Sequence, residues 1–223
     1  MPLMPENSAA AKTFLELQTL GVRNAFGYLE SLKDILDKIV VTSAPNNSPV
    51  GNFTLNDGIK YLNADFLESA LLTDQRLIVV GNGASAAIAI HTLADFAATG
   101  RFKTVDLFNP SLLTCMANDY GYEKVFSKPI EILADSGDIL FAVSSSGQSP
   151  NILRACEAAL AKNCQVVTFS GFSQDNPLRK LGRLNFYVPS THYGFVELTH
   201  QIILHCILDL FIRNKVYEEA IDL

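Results

Sequence analysis

A chain of 223 residues, 48% of them apolar, can bury one sizeable α/β core but not two comfortable ones, so one domain with an N-terminal extension is expected. Its net charge of -6 is spread along the chain without a Lys/Arg block, which argues against nucleic acid or an anionic membrane as a direct partner and favours a small molecule or another protein. No unbroken apolar run approaches the roughly 20 residues that span a bilayer, and the start "MPLMPENSAA" lacks the charged-then-apolar pattern of a signal peptide; the expected location is cytoplasmic.

In chain order, the apolar positions from Ser8 to about Val41, among them Phe14, Leu17, Leu20, Phe26, Leu29 and Leu36, predict helix with a wide apolar stripe. The stretch "TSAPNNSPVGN" predicts a solvated loop, and a second helix follows from roughly Asp57 to Leu72. A stripe this wide needs a partner, so these helices should pack on the α/β unit or on another subunit. From Arg76 onward, apolar runs such as "LIVVG", "DILFAVS" and "QVVTFS" alternate with helical segments, ending in "GFVELTHQIILHCILDLFI". Strands that are apolar throughout, with helices between them, predict a parallel sheet covered on both faces. Cys115, Cys156, Cys164 and Cys206 sit in apolar contexts without a CxxC pair and read as small hydrophobes, with neither disulfide nor zinc.

Two strands end in turns suited to an anion. "VVGNGAS" places Gly81, Asn82 and Gly83 ahead of a helix, and "VSSSGQSPN" places Ser144, Ser145, Ser146 and Ser149 before a helix that Pro150 can open. Neither matches a Walker motif or a full dinucleotide fingerprint. Taken singly, each loop serves equally well as a tight turn with helix-capping serines. Converging at the carboxyl ends of one parallel sheet, they fit a phosphorylated metabolite.

His91 and Asp95 are i, i+4 on a helix, and Glu197 and His205 lie eight apart on the last one. Two imidazoles and two carboxylates on two helices suit a four-coordinate ion such as Zn²⁺. Each residue alone also reads as an ordinary core histidine or helix charge, and His192 and His200 compete for the same role.

In order and spacing, "GNGAS", "LTCMANDYGYEKVFSKPIE", "GDILFAVSSSGQSPNILRA" and "VPSTHYGFVELTHQIILH" resemble the phosphoheptose isomerases of the sugar isomerase (SIS) superfamily, over Arg76 to Ile212. The resemblance implies an α/β, Rossmann-like SIS domain at 76–223, its parallel sheet flanked by helices, and an N-terminal helical segment at 1–75 that serves oligomerisation in a homotetramer. It implies isomerisation of sedoheptulose 7-phosphate to D-glycero-D-manno-heptose 7-phosphate for heptose and surface-glycan synthesis, with one Zn²⁺ per chain. Carried over by position, Asn82, Gly83, Ala84, Asn118, Asp119, Ser144, Ser145, Ser146, Ser149 and Glu197 hold the sugar phosphate. His91, Asp95, Glu197 and His205 hold zinc, and Asp95 and His205 move protons.

The chain departs from the family pattern at several of these points. Ala84 stands for a glycine, Asp95 for Glu, Glu197 for Gln, and Phe195 and Leu198 for Arg and Glu; two extra residues follow Asp95, and the N-terminal region is longer. A second carboxylate makes a zinc cluster about neutral and the ion a weaker Lewis acid. Asp is one methylene shorter than Glu, and about 1 Å of lost reach is costly to a base. Two alternatives therefore stand beside the isomerase: a non-catalytic SIS protein that binds a phosphosugar or a protein partner, and an isomerase of a different phosphosugar.

Overall fold

Apolar strands need cover on both faces, and the arrangement of elements supplies it. The computed structural model describes residues 9–43 and 52–221. Helices α1 (Ala9–Thr19) and α2 (Ala25–Leu36) precede short strands β1 (Val40–Ser43) and β2 (Asn52–Phe53). Helices α3 (Leu55–Leu62) and α4 (Glu68–Leu72) follow, joined through one π-helical turn, and then β3 (Arg76–Val80), α5 (Ala84–Ala98), β4 (Lys103–Val105) and α6 (Pro110–Tyr120). The chain continues with α7 (Ser127–Leu133), β5 (Ile139–Ser144), α8 (Pro150–Ala161), β6 (Gln165–Ser170), β7 (Leu184–Tyr187) and α9 (Tyr193–Ile221).

The seven strands among the described residues form one sheet in the order β2-β1-β7-β6-β5-β3-β4. Strands β3 to β7 are parallel, and the β1–β2 pair adds antiparallel to β7. Alternate strand residues feed two cores. Val79, Phe141, Phe169 and Phe186 pack against α5 and α9, while Ile78, Val80, Leu140 and Val166 pack against α7 and α8. The expected parallel sheet with helices on both faces is what the chain forms.

The N-terminal region differs from the helix expected over Ser8 to Val41. Gly21, in the left-handed region at φ 69°, ends α1, and the Asn24 side chain accepts from the Gly27 N–H to start α2, both recognised stop and start signals. The β-branched run at Val40 then joins the sheet as β1, and Val41 is fully buried in the same core as Ile59, Leu62 and Phe66. The predicted loop after Ser43 lies mostly outside the described residues, as does the side chain of Phe14. Helix α6 was not among the expected elements, and it buries none of its residues.

The stretch Tyr193–Lys215 is long and apolar enough, by length and composition, to cross a membrane. Reading for unbroken apolar runs missed this because His200, Gln201, His205 and Asp209 interrupt it. Half of the apolar window within it is buried, with Phe195, Ile203, Leu204, Ile207 and Phe211 packed on the sheet face.

Strand β3 has β4 on one side and β5 on the other. The chain therefore reverses its direction of winding at β3, and the crevice at the carboxyl ends of β3 and β5 is where doubly wound sheets place ligands.

Candidate active site

The turn after β3 takes a shape that needs glycine. Gly83 has φ 56° and ψ -124° with open space around it, so backbone conformation alone selects the residue. Gly83 also occupies the N-cap of α5, where it offers no side chain to the first N–H groups. The serine turn after β5 is similar. Gly147 has φ 63°, and a side chain there would run into Asn176. Ser149 is the N-cap of α8, yet its hydroxyl makes no capping bond. Two helix N-termini are thus left with uncapped donors, the arrangement that favours a bound anion.

The serines divide by environment. Ser144 and Ser145 are buried and Ser146 and Ser149 half-exposed. The Gly147 N–H donates to Ser144 Oγ at 3.2 Å and the Gln148 N–H to Ser146 Oγ at 3.3 Å, which shapes the turn. Ser145 Oγ is buried without a partner among the described residues, a cost of the order of 1–3 kcal/mol that a ligand or water would relieve. Both turns open into one cavity of about 250 Å³, lined by Asn82 to Ser85 on one side and Ser144 to Ser146 with Ser149 on the other. Tyr193 and Glu197 of α9 close it. Burial pushes the Glu197 carboxyl above its usual range.

Asn176, which the sequence did not single out, braces this cavity. It is 1% exposed; its side-chain N–H₂ lies within hydrogen-bond distance of Ser170 Oγ, Gly171 O and Ser173 O, and its Oδ1 accepts from the Arg179 N–H. The Gly171 N–H donates to Ser145 O at 3.0 Å and the Leu178 N–H to Gly147 O at 3.1 Å, so the loop after β6 is stitched to the serine turn. His200 is fully buried beneath the same strand end, with Nε2 3.3 Å from Ser170 O.

Further along α5 the histidines meet. His91 Nε2 is 3.3 Å from His205 Nε2 and 3.1 Å from Asp95 Oδ2, and His205 Nδ1 is 3.7 Å from the same oxygen. Two donors about 2.05 Å from a tetrahedral ion stand about 3.3 Å apart, so the spacing fits one divalent cation shared by three side chains. Glu197, predicted as a fourth ligand, does not join this group. Eight residues along a helix amount to about 12 Å of rise; Glu197 lies roughly on the same side as His205 but two turns nearer the serine turn.

The remaining predicted residues fall outside the cavity. Asn118 and Asp119 are exposed at the end of α6, where Asn118 Nδ2 donates to Asp119 Oδ1 at 2.9 Å. Their position depends on how α6 packs beyond the edge strand, which spacing cannot specify. The chain turns there through Gly121 to Tyr122, whose hydroxyl reaches Asn82 Oδ1 at 3.1 Å. Sequence reading missed Tyr122, although it lies within the quoted "ANDYGYEKVF". His192 is buried outside this cavity, at the wall of a separate one beside α1 and α2: the Phe195 N–H donates to its Nδ1 at 3.4 Å, and its ring packs against Phe195. Phe195 is itself fully buried and stacks on Tyr28 at 4.3 Å, docking α2 onto α9. Leu198 remains exposed.

Comparison with known proteins agrees with this architecture. The family model of the SIS domain matches residues 53–171. A phosphoheptose isomerase from Helicobacter hepaticus is 36% identical over 169 residues, 71% of this chain and 83% of the relative. One from Coxiella burnetii is 35% identical over 162 residues, 68% and 80% of the two chains. Among solved structures, the phosphoheptose isomerase from Neisseria gonorrhoeae superposes with a TM-score of 0.69 at 26% identity, covering 83% of this chain and 94% of that one. By sequence and by fold, the chain belongs to the SIS-domain family and, within it, to the phosphoheptose isomerases.

Proposed function

We propose that the chain is an aldose–ketose isomerase that converts sedoheptulose 7-phosphate to D-glycero-D-manno-heptose 7-phosphate, for heptose and surface-glycan synthesis. The observation that carries this reading is the pairing of an anion cavity with a proton-transfer cluster along the same two helices. Ala84 lines the cavity, and His91 and Asp95 follow it on one face of α5. The seven residues from Ala84 to His91 rise about 10 Å. A substrate with phosphate at one end and carbonyl at the other, separated by several carbons, bridges that gap.

The serine turn and the two helix N-termini bind the phosphate, and Asn82 and Glu197 face the sugar chain. Asp95 presents Oδ2 to both imidazoles, which leaves Oδ1 to take a proton from C1 of the ketose. His205 donates a proton to O2 as the enediol forms, then accepts the O1 proton, while Asp95 returns its own to C2. His91 orients both groups. The three side chains fit a divalent ion, Zn²⁺ by donor type, which when bound supplies charge stabilisation for the enediol oxygens. The apolar face at Leu15, Leu20, Phe26 and Leu29, of which Phe26 is 79% exposed, supports assembly into a homotetramer through the N-terminal helices, with sugar phosphate as the small-molecule partner and the cytoplasm as the site of action.

Turnover assays with a panel of ketose and aldose phosphates, with and without added Zn²⁺, test the reading. Sedoheptulose 7-phosphate should be converted, and Asp95→Asn should lose at least about 100-fold in kcat while still binding substrate. Tight sugar-phosphate binding with no turnover in the wild type would replace the isomerase by a binding protein. Full activity in Asp95→Asn would remove Asp95 as the base.

A further inference from the structure

Asn82 sits between two glycines, on a turn whose backbone offers its side chain little restraint, and a free amide can present either its oxygen or its nitrogen to a ligand. Here that choice is removed. Asn82 Nδ2 donates to Asn151 Oδ1 at 2.9 Å, and Asn151 Nδ2 donates back to Asn82 Oδ1 at 2.8 Å, forming a closed amide pair. The Tyr122 hydroxyl takes the second acceptor position on Asn82 Oδ1 at 3.1 Å. Asn151 is 2% exposed in the first turn of α8, so its amide is held by packing. Tyr122 is carried by a short 3₁₀ turn (Tyr122–Lys124), and Glu123 of that turn pairs with Arg154 of α8 at 3.3 Å. Both supports of Asn82 are therefore anchored on the same helix.

With Oδ1 doubly engaged and one N–H given to Asn151, Asn82 keeps a single N–H without a protein acceptor among the described residues, and Asn82 lines the cavity. We propose that Asn151 and Tyr122 are positioning residues that lock Asn82 as a one-N–H donor to an oxygen of the bound sugar. Asn82 then recognises an acceptor, a hydroxyl or carbonyl oxygen, while the serine turn recognises the phosphate. This rests on the cavity being the sugar-phosphate site.

The test is a double-mutant cycle in KM for sedoheptulose 7-phosphate, with inorganic phosphate as a competitive inhibitor. Asn151→Leu keeps the branched side-chain skeleton and removes the amide without adding charge; Tyr122→Phe removes one hydroxyl at an exposed position where folding is not at risk. Asn151→Leu should raise KM about ten- to a hundredfold with kcat largely kept, and Tyr122→Phe should raise it by a smaller factor. The inhibition constant of inorganic phosphate should not move. In an Asn82→Ala background neither substitution should have any further effect, because the side chain they position is gone. An equal rise in KM and in the phosphate constant, or a full effect of Asn151→Leu in that background, would mark a merely structural role and overturn the proposal. Unchanged KM in both single variants would do the same. In a protein that binds the sugar phosphate without turning it over, the cycle is read in Kd by calorimetry, so failure of the isomerase reading and failure of the positioning role are separate results; a wild type that neither binds nor converts overturns both.

Discussion

Lowering the pH from 7 to 5 should destabilise the protein through His200. This imidazole is fully buried under the end of β6, with Nε2 3.3 Å from Ser170 O and Nδ1 without a partner among the described residues. Burial pushes its pKa down from 6.5 to about 4, against the smaller opposing pull of the Ser170 carbonyl. Below about 6.5 the unfolded chain takes up a proton that the folded chain refuses, so stability is complete above that value and is lost as pH falls towards 4. Over the whole window the loss is about 3 kcal/mol, and between pH 7 and 5 it is about 2 kcal/mol. At about 2–4 °C per kcal/mol for a chain of this size, Tm should fall roughly 4–8 °C from this group alone. Thermal unfolding followed by circular dichroism at pH 7, 6 and 5, for wild type and His200→Gln, isolates the effect. The glutamine amide can still donate to Ser170 O but has no proton to gain, and every other histidine is common to both proteins. Equal losses of Tm in the two proteins would refute the assignment.

Two further outcomes concern the site itself. Replacing Ser144 and Ser146 together by Ala should weaken sugar-phosphate binding at least about tenfold in calorimetry, since each removes a hydroxyl from a charged ligand; unchanged affinity would move the phosphate elsewhere. Metal analysis should find about one Zn²⁺ per chain, falling sharply in His91→Ala with the circular-dichroism spectrum kept, and equal metal content in the two proteins would remove His91 as a ligand.

The local sequence determined the parts of this protein that repeat within one element. Central strands with apolar residues on both faces, such as Ile139–Val143 of β5, imposed the two-sided parallel sheet, the glycines imposed the two turns, and the spacing of His91 and Asp95 placed both on one face of α5. Gly21 and Asn24 also encoded the break between α1 and α2, a signal outweighed in reading by the apolar stripe running through it. Tertiary packing decided the rest. His91 and His205 are 114 residues apart, and Asn82 and Asn151 are 69 apart, so their contacts exist only once α5, α8 and α9 settle on the sheet. Packing also decided that Ser149 leaves its hydroxyl free instead of capping α8, that Asn176 fills the space beside Gly147, and that Glu197 faces the anion cavity while His205, two turns on, meets His91. Periodicity fixes the direction in which a side chain leaves its helix; the neighbour it meets depends on where along that helix another element crosses.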